Sequence, residues 1–68
     1  MSFAEAISAA RVWAAELQSS EYVYSWDGIS WDFDDSPPVA SPMDRAYGSH
    51  YARIPTYRVT SAGDVFAF

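Results

Sequence analysis

The sequence predicts a small α+β domain: one N-terminal amphipathic helix packed on a three- to four-stranded antiparallel sheet made of two hairpins. Three observations carry this. A capping box opens a stretch of helical periodicity at Ser2, Asp27-Gly28 separates two alternating aromatic runs, and Gly63 sits between two further alternating runs near the C-terminus. With 68 residues the chain forms one domain, with no internal repeat, and at that size a single core leaves stability marginal. The predicted order is a helix over about residues 2–19, a hairpin over 21–34, a loop and short helix over 35–48, and a hairpin over 53–68.

Ser2 and Glu5 stand three apart, so the Ser2 hydroxyl accepts the Glu5 backbone N–H while the Glu5 side chain reaches back to the Ser2 amide. Glu5 also lies at the positive end of the helix dipole. Phe3, Ile7, Ala10, Ala14 and Leu17 then recur at helical spacing, with Ala6 and Trp13 flanking the stripe. Six alanines between positions 4 and 15 favour the helix and permit close approach to a sheet. No glycine stops the helix, so its end is expected to fray around residues 18–20.

Asp-Gly between alternating runs marks a two-residue type I′ hairpin, in which both central residues take positive φ. That turn would set Trp26 opposite Ile29, Tyr24 opposite Trp31 and Tyr22 opposite Phe33, all on an apolar core side. Glu21, Val23, Ser25, Ser30, Asp32 and Asp34 would form the outer side, with Glu21 opposite Asp34. In the second hairpin a two-residue Ala62-Gly63 turn or a four-residue loop predicts Tyr57 opposite Phe68 and Val59 opposite Phe66. Thr56, Arg58, Thr60, Val65 and Ala67 then face outward. Pro55 donates no ladder hydrogen bond, so this strand begins late or lies at an edge. Between the hairpins, residues 36–42 read as a stiff extended connection. Ser41-Pro42-Met43-Asp44 reads as a helix start that Gly48 ends after about a turn.

Composition excludes several function classes. The chain has no cysteine, which removes disulfide frameworks, thiolate metal sites and thiol nucleophiles. Nine acids stand against four arginines, a net charge of −5, the wrong sign for gripping nucleic-acid phosphates or an anionic membrane. Hydrophobic content of 50% and aromatic content of 18% are too high for a disordered acidic tail. No apolar run approaches the roughly 20 residues of a bilayer span. The first residues lack a basic region ahead of an apolar stretch, so no secretory signal is expected.

Catalytic signatures are thin. His50 is the single histidine, and its neighbour Ser49 diverges from it on an extended chain, so the two make no nucleophile–base pair. Asp32-Phe33-Asp34-Asp35 resembles the start of a calcium loop, but Pro37 and Met43 occupy the positions that need glycine and glutamate. Asp32 and Asp34 share one strand face without a substrate cleft, which argues against paired-carboxylate hydrolysis. The reading is of a binding protein with no enzymatic activity, no cofactor and no metal.

Charge is segregated. Residues 1–35 hold seven acids and one arginine, net −6; residues 36–68 hold two acids and three arginines, net +1. Like charges opposite one another destabilise a hairpin, so an acidic ribbon in a small domain points to use. Glu21, Asp27, Asp32, Asp34 and Asp35, extended by Glu16 on the helix, are the candidate partner-binding residues. Trp13, Tyr47 and Tyr51 are candidate anchors at the margin. The plain structural reading of the same charges is a solvated face that blunts sheet edges.

In size, charge balance and the stretch from Trp26 to Asp35, the chain resembles the small acidic phage-encoded anti-CRISPR and anti-restriction proteins, several of which mimic DNA. The resemblance implies a stoichiometric inhibitor in the bacterial cytoplasm, a monomer or small homo-oligomer. It would occupy the basic groove of a defence complex such as a type I CRISPR surveillance complex and block target-DNA binding, without itself binding nucleic acid or membrane. Arg45, Arg53 and Arg58 depart from a pure DNA mimic. The alternatives are an immunity protein or antitoxin that neutralises a basic nuclease toxin, and a small-ligand or metal-binding accessory domain.

Overall fold

A computed structural model describes residues 1–38 and 54–68. The predicted short helix near residues 41–48, together with His50, Tyr47, Tyr51, Arg45 and Arg53, lies outside the described residues. The chain forms helix α1 (Phe3–Leu17) and strands β1 (Glu21–Tyr24), β2 (Asp32–Asp34), β3 (Thr56–Val59) and β4 (Val65–Ala67). The strands make one antiparallel sheet in the order β2-β1-β3-β4. The α+β architecture is as the sequence predicts, and β3 starts directly after Pro55.

The capping box at the start of α1 is complete. The Glu5 amide donates to Ser2 Oγ at 3.2 Å and the Ser2 amide donates to Glu5 Oε1 at 3.0 Å. These bonds hold the Glu5 carboxyl below its ordinary value. The C-terminus does not simply fray. Gln18 takes the left-handed conformation (φ 53°, ψ 42°), and the amides of Gln18 and Ser19 both donate to the Ala14 carbonyl. A left-handed residue at this position is the usual helix stop, here without glycine.

Among the described residues the core is built from small side chains. Ala6, Ala10 and Ala14 of the helix and Val23 and Val59 of the two central strands are fully buried. Alanine lets the helix backbone approach the sheet closely, so little side-chain volume fills the space between them. Phe3, Ile7, Trp31, Phe33 and Val65 pack around this centre. Phe3, Trp31 and Tyr57 close one end, with ring centroids 4.8 Å (Phe3–Trp31), 5.1 Å (Phe3–Tyr57) and 6.1 Å (Trp31–Tyr57) apart. Leu17, placed on the stripe by periodicity, is the last residue of α1 and is exposed.

Both hairpins differ from the expected register by one residue. In the first, Tyr22 pairs with Asp34, Val23 with Phe33 and Tyr24 with Asp32. In the second, Tyr57 pairs with Ala67, Arg58 with Phe66 and Val59 with Val65. A one-residue shift carries a side chain to the other face of its pairing. The helix side therefore holds Glu21, Val23, Phe33, Tyr57, Val59 and Val65, and the opposite side holds Tyr22, Tyr24, Asp32, Asp34, Thr56, Arg58 and Phe66, of which Thr56 is buried.

The loops explain the shift. Among the described residues Gln18 alone of the non-glycines has positive φ, so Asp27 does not adopt the conformation a type I′ turn requires. Instead residues 25–31 form a wider loop around two side chains. Ser25 Oγ accepts the Gly28 amide at 2.7 Å and donates to the Ser30 carbonyl at 2.8 Å. Asp27 Oδ1 accepts the amides of Ile29 and Ser30, each at 2.8 Å. Ser25 is almost fully buried, while Trp26 and Ile29, expected to pair in the core, are exposed. In the second hairpin the Gly63 amide donates to the Thr60 carbonyl at 2.9 Å and Gly63 has φ +91°. This is a three-residue connection ending in a left-handed glycine, the form that adds one residue to a two-residue turn.

Candidate functional site

The six acids singled out from the sequence do not form one strip. Asp32 and Asp34, alternate residues of the edge strand β2, both project from the sheet face opposite α1 and are exposed. Each carboxylate is held locally: Asp32 Oδ1 accepts the Phe33 amide at 2.8 Å and Asp34 Oδ1 accepts the Asp35 amide at 2.7 Å. Asp35 follows immediately and is exposed. These three adjoin one another at the edge of the sheet.

The other three part from them for distinct reasons. Glu21 pairs with Val59 on the helix side and is 3% exposed, so it is not available to a partner. Burial, with Asp35 and then Asp34 nearby, raises its carboxyl above the ordinary 4.5. Continuing the β1–β2 register by one residue sets Glu21 opposite Asp35, where the sequence reading had Asp34. Asp27 is exposed but committed to the loop; the Ser30 and Ile29 amides, aided by the Ser25 hydroxyl at 3.2 Å, lower its carboxyl below 3.8. Glu16 is exposed on α1, and α1 covers the sheet face opposite to Asp32 and Asp34. Trp13 on the same helix is half exposed and likewise lies on the other side of the sheet from Asp32 and Asp34.

What the sequence reading missed is the aromatic content of the face that carries Asp32 and Asp34. With Tyr22 opposite Asp34 and Tyr24 opposite Asp32, each carboxylate has a tyrosine beside it. Tyr22 stacks edge-on with Phe68 at 5.2 Å and Tyr24 edge-on with Trp26 at 6.0 Å. Arg58 pairs with Tyr22 across β1–β3, and its guanidinium lies over the Phe66 ring at 5.7 Å. Trp26, Phe66 and Phe68 are each at least half exposed. Partial burial, then the charges of Asp32 and Asp34, push the Tyr24 phenol above 10.0, so at neutral pH it remains a neutral hydrogen-bonding group. The sequence signal for this surface was present in the alternation Tyr22-x-Tyr24 and Asp32-x-Asp34, but the register that unites the two was not.

Among the described residues, no group of three or more His, Asp or Glu side chains is placed to hold a metal ion, and no helix is long and apolar enough to cross a membrane. The chain matches no protein-family model, no curated protein and no solved structure.

Proposed function

We propose that this protein is a stoichiometric inhibitor that binds a basic protein surface through the exposed carboxylates of its β2 edge, and so competes with nucleic acid for that surface. The observation that carries the reading is the pair Asp32 and Asp34, projecting on one side of an edge strand with their carboxylates tethered to neighbouring amides. Alternate residues on a strand lie about 6.8 Å apart, a regular array of charge that needs little reorganisation on binding. Asp35 and the net charge of −5 add a negative field that steers a basic partner and makes association salt-sensitive. The resemblance to anti-CRISPR proteins names the finer target: the DNA-binding groove of a bacterial defence complex, as in a type I surveillance complex.

The test is a gel-shift competition in which a purified type I surveillance complex and its target DNA meet either the parent protein or Asp32→Lys/Asp34→Lys. Both positions are exposed on an edge strand, where lysine is well tolerated, so circular dichroism should show the variant folded. The parent should abolish the DNA shift, less effectively at higher salt, and the variant should leave the shift intact. Equal potency of parent and variant would remove the β2 edge from the mechanism. Inhibition of a basic nuclease toxin, with no effect on the surveillance complex, would instead identify an immunity protein.

A further inference from the structure

We infer that Asp27-Gly28 is a latent self-modification site: the folded loop between β1 and β2 holds it unreacted, and opening of the first hairpin releases it to isomerise to isoaspartate. The chain has no asparagine, and this is its one Asp-Gly step. In such a step the glycine nitrogen attacks the aspartyl Cγ and closes a five-membered succinimide. The amide proton leaves with the hydroxyl of the protonated carboxyl as water. Water then adds back at one of the two ring carbonyls. Opening at Cγ restores aspartate, whereas opening at the main-chain carbonyl leaves the chain running through Cβ with the carboxylate on Cα. One water is lost and one regained, no electrons are transferred, and the mass is unchanged. Glycine favours the closure because it has no side chain to obstruct the ring.

The loop cannot dispense with either residue. Gly28 has φ +78°, a conformation in which a side chain is strained, and Asp27 Oδ1 accepts the Ile29 and Ser30 amides, each at 2.8 Å. Both residues are exposed, so burial is not what protects them. The loop's hydrogen bonds oppose the reaction at both of its partners. The Gly28 amide donates to Ser25 Oγ at 2.7 Å, a bond that is lost when the nitrogen gives up its hydrogen. Ring closure also turns the Asp27 carboxylate into a neutral imide carbonyl, a weaker acceptor for the two amides it now binds. Those amides favour the ionised carboxyl, from which an oxygen leaves poorly. Ser25 Oγ in turn donates to the Ser30 carbonyl at 2.8 Å, so nucleophile and carboxylate are held by one network. The isoaspartyl product inserts a backbone carbon into this loop and moves its carboxylate, so the network does not re-form as it was.

The test incubates the intact protein at neutral pH beside a blocked peptide of residues 24–31 and the parent unfolded in guanidinium chloride. Isoaspartate is counted by electron-transfer fragmentation, which marks the extra backbone carbon. The folded protein should isomerise at least about tenfold more slowly than the peptide, because reaction then follows the small open population. The unfolded parent should match the peptide. Ser25→Ala removes the acceptor of the Gly28 amide without adding volume, and should move the rate toward that of the peptide at unchanged circular dichroism. Equal rates in the folded parent and the peptide would overturn the inference. So would an unfolded parent as slow as the folded one, or a folded Ser25→Ala protein that keeps the parent's rate. The comparison between parent and peptide requires no variant to fold.

Discussion

Three individual side chains set what this surface can do, and the sequence reading had placed each of them differently. Asp27 builds its own loop, its Oδ1 accepting two backbone amides. Ser25, expected on the outer side of the hairpin, is the buried post around which the loop closes. Glu21 is the electrostatic cost of the first hairpin. Because its carboxyl is raised by burial, the folded state holds a proton that the unfolded chain releases near 4.5. The stability that proton confers is full below 4.5 and is lost as pH rises through the folded value. Glu21→Gln should therefore melt at a higher temperature than the parent at pH 7, with the gap closing below pH 4.5. A gap of the same size at every pH would show that Glu21 does not titrate with folding. Asp27 and Glu5 act in the opposite sense, since their lowered carboxyls stabilise above 3.8–4.5 and lose that contribution as the solution is acidified.

At the scale of elements, the helix was the most legible part of the chain. Capping residues and alanines act within one turn, so Ser2, Glu5 and the Ala6-Ala10-Ala14 stripe could be read without knowing what they pack against. Its end could not be read, because a left-handed Gln18 carries no compositional signal. A non-glycine residue in that conformation costs about 1 kcal/mol, and Gln18 is exposed. Gln18→Gly should therefore stabilise the protein by about 0.5–1 kcal/mol, measured by urea denaturation; destabilisation would mean that the glutamine side chain makes a contribution larger than its backbone strain. The hairpins were legible as hairpins but not in register. Alternation identifies a strand and its two faces, yet which face is buried depends on whether the connection adds an odd or an even number of residues. Ser25 and Asp27 in one loop, and the left-handed Gly63 in the other, each made that number odd.

For the whole molecule, the fully buried hydrophobics among the described residues are three alanines and two valines, and larger apolar contact comes from the rim of Phe3, Trp31 and Tyr57. Trp31 also anchors the start of the chain, its amide donating to the Met1 carbonyl at 2.8 Å, while Arg11 Nε donates to the Gly63 carbonyl at 3.1 Å and ties the helix to the second hairpin. In so small a domain the rim has a large share of the total stability. Trp31→Ala should lower it by about 3 kcal/mol, seen as a shift of the urea midpoint, since the ring stacks on both the helix and β3. A loss under 0.5 kcal/mol would place the stabilising packing elsewhere. Tyr22, Tyr24, Phe66 and Phe68 lie on the sheet face opposite α1, beside Asp32 and Asp34. There they turn an acidic edge into a mixed surface of charge and ring.

The sequence by itself determined the size, the sign of the charge, the helix with its cap, and the two-hairpin α+β plan, because these follow from composition and from interactions within a few residues. Tertiary structure decided which aromatics are core and which acids share a surface. Those outcomes hinge on the parity of two loops, and parity is set by hydrogen bonds such as Ser25 to Gly28 and Asp27 to Ser30 that only the closed loop forms. A single residue of register moved Glu21 into the interior and set Tyr22 and Tyr24 beside the carboxylates. Pairing across strands, not spacing along the chain, made the candidate site.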